Sequence, residues 1–371
     1  MRVLLSGGGT AGHIYPALTV AEHLRAAGHE IAFVGTPDGL EAQLVPSAGV
    51  AFRAVPSRGF DRAHPFSLVT SACVTLVSIF KAARAIREFR PDVVLGVGGY
   101  VSLPVGLAAA LRRIPLVLHE QNSVPGLANR VLSRWACAVG TTYEGSIRHL
   151  AHPERAVVTG NPVRAAVLEA DRDRGRLIME LPADAVVLLV FGGSRGARHI
   201  NDTMIALAPG LMAVPSLQVV HVAGRIESTS VAERVEAALG GSEPRYRVVD
   251  YIDAMGDAIA ASDAIVSRAG ATSIAEITAV GRAAVLVPYP YATDDHQTLN
   301  ARAVAQAGGA EVVSDSDLES GLFRDAVMRL VTDEKRRDRM AEAAATLARR
   351  DAAERVVALV TQACVTRKEA R

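Results

Sequence analysis

Cysteine is scarce: Cys73, Cys137 and Cys364 stand far apart in 371 residues, with no CxxC among them. That excludes a disulfide framework and a zinc knuckle. Long apolar runs are also missing. No segment reaches ~20 apolar residues, so none is expected to span a membrane. The opening MRVLLSGGGTAGH holds too short an apolar run for a signal peptide. Neither sign of charge dominates, since 40 basic residues face 39 acidic ones for a net charge of +1. Broad nucleic-acid binding is thereby argued against, and a cytosolic protein is expected.

What is present suits two domains of ordinary size, because 371 residues exceed one comfortable core. Half the residues are hydrophobic, enough for both to fold unstapled. The most informative stretch is Ser267 to Asn300. An apolar run, Asp263 to Val266, precedes it; Arg268, Gly270, Ala271 and Thr272 make a small-residue turn, and Ser273 to Val280 carry helix periodicity. A helix N-terminus offers backbone N–H groups to an anion. Glu276 lies one turn into that helix, where a carboxylate can accept two ribose hydroxyls. Gly281 closes the helix. A buried strand, Ala283 to Val287, then leads into a polar loop bearing Asp294, Asp295, His296, Gln297 and Asn300, the fixed polar groups that sugar hydroxyls require. Phosphate, ribose and sugar in one line suggest a nucleotide-sugar, although an ordinary βαβ unit with a glycine turn reads the same way.

Val3 to Leu5 form a short strand, and Pro16 to Ala27 a helix stopped by Gly28. Between them Gly7, Gly9 and Gly12 match GxGxxG. The dinucleotide fingerprint also needs an acid closing the second strand. Here Ile31 to Val34 end in Gly35-Thr36 and Asp38 comes late, so the match points to close backbone approach to a ligand rather than to NAD. Strands Val93 to Leu95, Leu116 to Leu118 and Ala156 to Thr159 likewise end in small or polar residues. Strands alternating with helices imply a parallel sheet with its ligands at the strands' C-terminal ends. HEQN at 119–122 is not a zincin motif. Asp171 to Arg174 reads as a solvated charge run, and neither its DxD pattern nor that of Asp315-Ser316-Asp317 reads as a metal site.

Near residue 185 the pattern restarts. Val186 to Phe191 form a strong strand, followed by Gly192-Gly193-Ser194-Arg195-Gly196-Ala197, where Ser194 and adjacent N–H groups suit a phosphate. Strand plus glycine loop thus occurs twice, which predicts two Rossmann-like domains. Further strands are expected at Gln218 to Val222, Tyr246 to Val249, Ala264 to Val266, Ala283 to Val287 and Ala310 to Val313. Glu334 to Ala348 should be an amphipathic helix, and the segment from Ala352 is apolar enough to pack back onto the first domain.

One segment stands apart. From Pro65 a helix over 66–80 is apolar nearly all round, with Phe66, Val69, Cys73, Leu76 and Phe80 on one face and Val77 among those on others. Residues 51 to 90 carry seven basic against two acidic residues. Fifteen helical residues reach only ~22 Å, short of a ~30 Å hydrocarbon layer. Either this is an apolar patch ringed by cations such as Lys81 and Arg84, resting on an anionic membrane, or it is a buried core helix.

GGGTAGHIYPAL, GVGGYVSLP, HEQNSVPGLAN, GNPVR, GGSRGARHIN and AGATSIAE with DDHQTLNA, in order from about residue 2 to about residue 305, resemble the MurG family. These are membrane-associated transferases that move N-acetylglucosamine from UDP-N-acetylglucosamine to lipid I, giving lipid II for peptidoglycan. The resemblance implies an α/β GT-B fold, two Rossmann-like parallel-sheet domains facing across a cleft. They would cover residues 1–163 and 164–351, with a helix over 352–371 packing back onto the first. It implies no metal or other cofactor, inversion at the anomeric carbon, and a peripheral location on the cytoplasmic face of the bacterial membrane.

It also implies site residues. Backbone near Ile252 would meet uracil and Glu276 the ribose. Ser194 and the N–H groups of Ala271 and Thr272 would hold the diphosphate, with Ser273, Ile274 and Ala275 continuing the donor site. Gln297, near His296, would reach the N-acetylglucosamine. Thr10, Ala11, Gly12, Asn122 and Arg164 would complete the donor site from the first domain. Gly9, Gly98, Gly99 and Tyr100 would take the acceptor diphosphate. The family often has glycine where this chain has Ala11, so ordinary dihedrals are expected there. Histidine titrates near neutrality, which makes His13 the favoured base, with phosphate binding or loop packing as its alternatives and His119 and Glu120 in reserve. The rival functions are a GT-B transferase for soluble aglycones, a nicotinamide oxidoreductase and a non-catalytic membrane adaptor.

Overall fold

A computed structural model describes residues 1–57, 67–193 and 196–369, including side chains except at 67–76 and 366–369. The chain divides into two compact units, residues 1–164 with 349–371, and residues 165–348.

The first unit begins β1 (Arg2–Ser6), α1 (Ala11–Ala26), β2 (Glu30–Gly35), α2 (Glu41–Ser47), β3 (Ala51–Ala54) and α3 (Ser67–Phe89). It continues β4 (Val93–Gly96), α4 (Ser102–Leu111), β5 (Leu116–Glu120), α5 (Leu127–Leu132), β6 (Ala138–Thr141) and β7 (Ala156–Val158). All seven strands are parallel, in the order β3-β2-β1-β4-β5-β6-β7. Strands such as β4 and β5 are buried at every residue, as a sheet covered on both faces requires. One face packs against α3, α4 and α5 through Ile86, Val105 and Leu132. The other packs against α1 and α2 through Val20, Leu24 and Val45.

The second unit opens with α6 (Ala165–Leu168), α7 (Arg172–Ile178), β8 (Val186–Phe191), α8 (Arg198–Met212), β9 (Leu217–Val222) and α9 (Ser228–Leu239). Then come β10 (Tyr246–Val249), α10 (Met255–Ala261), β11 (Ala264–Arg268), α11 (Ala271–Val280) and β12 (Ala283–Val287). It closes with α12 (His296–Gln306), β13 (Ala310–Val312), α13 (Gly321–Thr332) and α14 (Glu334–Thr346). Its six parallel strands run β10-β9-β8-β11-β12-β13. The last helix, α15 (Ala352–Glu369), belongs to the first unit, where Val356, Val360 and Cys364 share a core with Val3, Leu5 and Leu95.

In both sheets the strand order reverses at one place, between β1 and β4 and between β8 and β11. Ligands of open parallel sheets bind outside the strand ends at such a switch point. The repeat read from the two glycine loops is therefore a repeat of topology, with β1 answering β8 and β4 answering β11.

Several expectations need correction. Helix α1 starts at Ala11, five residues before Pro16, so its first turn lies inside the glycine motif; proline near a helix start removes only one backbone bond. Strands β3 and β6 were not anticipated: β3 is a half-exposed sheet edge without an apolar run, and β6 is four residues long. The run Asp171 to Arg174 is not simply solvated. Asp171 caps α7, Arg174 meets Asp257 at 2.6 Å and Arg172 meets Asp263 at 2.6 Å, tying α7 to α10 and to the residue that precedes β11. Helix α3 runs on to Phe89 instead of ending near residue 80.

Candidate functional sites on the two units

At the switch point of the first sheet, the loop after β1 meets the loop after β4. Thr10 is the N-cap of α1, in extended conformation with no side-chain capping bond, and Ala11 is its first residue. Ala11 has no left-handed φ, unlike Gly9 at 87°. The β4 loop crosses at very short range. A Cβ on Gly99 would stand 2.3 Å from the Gly8 carbonyl oxygen, and one on Gly98 3.2 Å from the His13 ring. Glycine is required there both for space and for φ values of 79° and 97°. Tyr100 next to them is exposed. Ser102 Oγ fixes the crossing, donating toward the Gly98 carbonyl at 2.6 Å.

Under this loop lies a buried acid that motif reading overlooked. Glu41, at the start of α2 and fully buried, accepts from Gly9 N at 3.2 Å, Thr36 N at 2.9 Å and Thr36 Oγ1 at 2.6 Å. An acid does therefore close the second strand's end. Its oxygens are already engaged by the loop itself.

His119 and Glu120 close β5, Gln121 follows it, and all three are buried. His119 Nε2 is 2.9 Å from the Gly160 carbonyl oxygen and its Nδ1 is 3.0 Å from Gln121 Nε2. Burial, with the neighbouring His13 adding a little, pushes its pKa down to about 4. Glu120 accepts from Asn122 N, Asn122 Nδ2, Gly126 N and Asn129 Nδ2 at 2.8–3.3 Å, so its carboxylate pins the 121–126 loop. Of the three residues considered as bases, His13 alone keeps a ring nitrogen with no hydrogen-bond partner among the described residues. Its Nδ1 stands 2.8 Å from Gln121 Oε1. Arg164 lies over the Tyr15 ring at 4.6 Å. Nearby in sequence, Asn161, within GNPVR but given no role there, is buried with neither side-chain amide atom bonded among the described residues.

In the second unit the β8 loop supplies Gly193 and Gly196, with φ of 98° and 75°. Ser194 lies outside the described residues. Across the switch point Gly270 caps α11, so Ala271, Thr272 and Ser273 form its first turn, two residues earlier than the periodicity suggested. Ile274 N closes that turn onto the Gly270 carbonyl at 2.9 Å, and Gly281 ends the helix in left-handed conformation at φ 72°. Glu276 is 6% exposed, on the same helix as Ile274 and Ala275. Ile252 is half-buried after β10. Gln297 Oε1 accepts from Tyr289 N at 2.9 Å, and His296 Nδ1 stands 2.7 Å from the Thr293 carbonyl oxygen. Asp294 and Asp295, both at φ 51°, are strained for residues with a Cβ, as often found beside ligands. Asn300 is buried in α12, its Nδ2 3.5 Å from the Ala269 carbonyl oxygen, and so braces the β11 loop instead of lying in the polar loop. Asp315 bonds His199 and Arg268. Burial raises its pKa, and the hydrogen bonds and charges of those two partners outweigh that and lower it.

On α3, Val77 is 50% and Phe80 69% exposed, with Lys81 and Arg84 beside them. Ala82, Ala85, Ile86 and Phe89 are buried, so this half of the helix is amphipathic and the fully buried alternative does not hold for it. Phe66 and the side chain of Val69 fall outside the described residues. No described helix is long and apolar enough to cross a membrane.

Comparison with known proteins agrees with this architecture. The glycosyltransferase family 28 N-terminal domain matches residues 3–141 and the family 28 C-terminal domain residues 187–356. A UDP-N-acetylglucosamine–N-acetylmuramyl-(pentapeptide) pyrophosphoryl-undecaprenol N-acetylglucosamine transferase of Halothermothrix orenii is 41% identical, covering 92% of this chain and 93% of its own. A protein of the same name from Desulfitobacterium hafniense is 38% identical over 96% and 98%. The crystal structure of MurG from Acinetobacter baumannii superposes with a TM-score of 0.77 at 29% identity, covering 97% of this chain and 99% of that one. A chain with both family 28 domains, the GT-B class of paired Rossmann-like sheets and such relatives belongs to the MurG family of N-acetylglucosaminyltransferases.

Proposed function

We propose that this enzyme transfers N-acetylglucosamine from UDP-N-acetylglucosamine to the C4 hydroxyl of the N-acetylmuramoyl unit of lipid I, with inversion, giving lipid II for peptidoglycan. The observation that carries the reading is the start of α11: Ala271 and Thr272 in a helix first turn at a switch point, with Glu276 on the same helix. N–H groups there suit a diphosphate and a carboxylate suits a ribose. Ile252 backbone then meets uracil, Gln297 the sugar, and Ser194, Thr10, Ala11, Gly12, Asn122 and Arg164 further parts of the donor.

In the reaction the acceptor hydroxyl gives its proton to His13 while its oxygen bonds to the anomeric carbon. The bond from that carbon to UDP breaks, and the electron pair leaves on a β-phosphate oxygen. Helix-start dipoles, Ser194 and Arg164 meet that charge. Gly9, Gly98, Gly99 and Tyr100 hold the acceptor's diphosphate. We read Val77, Phe80, Lys81 and Arg84 as a patch suited to an anionic membrane surface, and the enzyme as peripheral on the cytoplasmic face. Radiolabelled UDP-N-acetylglucosamine with a lipid I analogue tests the reading: labelled lipid II is the expected product, and turnover restricted to soluble aglycones would refute it.

A further inference from the structure

A buried chain of hydrogen bonds ends on His13, and its hydrogens can be assigned by elimination. The Gly160 carbonyl oxygen can only accept, so His119 Nε2, 2.9 Å away, carries a hydrogen. His119 is neutral near pH 7, since burial pushes its pKa down to about 4. A neutral imidazole has one N–H, so His119 Nδ1 is an acceptor. The Gln121 amide nitrogen, 3.0 Å from it, is the donor. That fixes the amide orientation and turns Oε1 toward His13 Nδ1 at 2.8 Å. A carbonyl oxygen again can only accept, so His13 must carry its hydrogen on Nδ1.

We propose that Gln121 and His119 are positioning residues that hold His13 in its Nδ1–H form, leaving the lone pair on Nε2 to take the acceptor hydroxyl's proton. This rests on His13 being the base. When Nε2 gains the proton, the Nδ1–H to Gln121 bond persists and the amide carbonyl dipole faces the new positive charge. A histidine held in the wrong tautomer presents an N–H where a lone pair is needed, and the rate falls steeply. The anchor is a backbone carbonyl, so no ionisable partner is required and the relay keeps its polarity as pH changes above the His119 pKa.

Labelling the protein with 15N-histidine and assigning His13 by its loss in His13→Gln tests the proposal directly. The parent should show a protonated Nδ1 and an unprotonated Nε2. Gln121→Met should shift His13 toward Nε2–H and lower kcat by at least about tenfold, with KM for UDP-N-acetylglucosamine within about twofold. Gln121→Glu places a carboxylate against Nδ1–H, so the acid limb of its kcat profile should move to higher pH, which a purely structural glutamine would not produce. An Nε2–H form in the parent, or an unmoved pH limb in Gln121→Glu, overturns the proposal even if Gln121→Met folds poorly. Parent-like turnover in His13→Gln would instead remove the base assignment, while the tautomer read by NMR is judged separately.

Discussion

Glu41, a fully buried carboxylate, accepts a hydrogen bond from the backbone N–H of Gly9 across 32 residues of sequence, at 3.2 Å. The glycine loop of the first sheet is thereby held from beneath by a carboxylate, in the position where a dinucleotide fold would present an acid to ribose. NADH is accordingly expected to show no saturable binding. Glu41→Ala strands three donors and opens a cavity, at a cost of ~2–4 kcal/mol. A drop in Tm of roughly 5–15 °C by calorimetry is expected; a fall of under about 2 °C would contradict this account.

Glu276→Ala should weaken UDP-N-acetylglucosamine binding about 10–100-fold, the value of ~1.5–3 kcal/mol for hydrogen bonds to a charged group. Titration calorimetry reads this. Unchanged affinity would mean that the nucleotide lies elsewhere.

Burial pushes both His119 and His221 down to about 4, one in each unit. Unfolded histidine titrates near 6.5. Between these values the unfolded chain binds more protons, so stability is full above pH 6.5 and is lost as pH falls toward 4. Each histidine removes roughly 1.4 kcal/mol per pH unit in that window. Urea midpoints measured from pH 7 to 4.5 should fall for both units, and His221→Gln should flatten the slope for the second unit alone.

Phe80 is 69% exposed and contributes little to the core, so Phe80→Asp should leave Tm within about 2 °C. Its co-sedimentation with anionic vesicles should nevertheless drop several-fold, and parent binding should weaken between low and high salt. Equal sedimentation of variant and parent would remove α3 from the membrane contact.

Short-range patterns carried most of the fold. The apolar runs at Val186–Phe191 and Ala283–Val287, the glycine loops and Gly281 each act within a few residues, and each marked its element closely. What was missed depends on distant partners. Gln121 was passed over within HEQN because its importance comes from His13, 108 residues away. Glu41 looks like one more surface acid in GLEAQ until the fold brings Thr36 and Gly9 to it. Strand β3 has no apolar signature because an edge needs none. Asp171 to Arg174 looked solvated because Asp257 and Asp263, its partners, come more than 80 residues later.

The way α15 returns to the first unit bears on how the molecule is made. Val356, Val360 and Cys364 complete a layer with Val3, Leu5 and Leu95. As synthesis proceeds from the N-terminus, the half translated first keeps that apolar layer uncovered until the final helix emerges. The half translated second, contiguous from 165 to 348, has all its parts earlier, so on the ribosome the order of completion is the reverse of the order of synthesis.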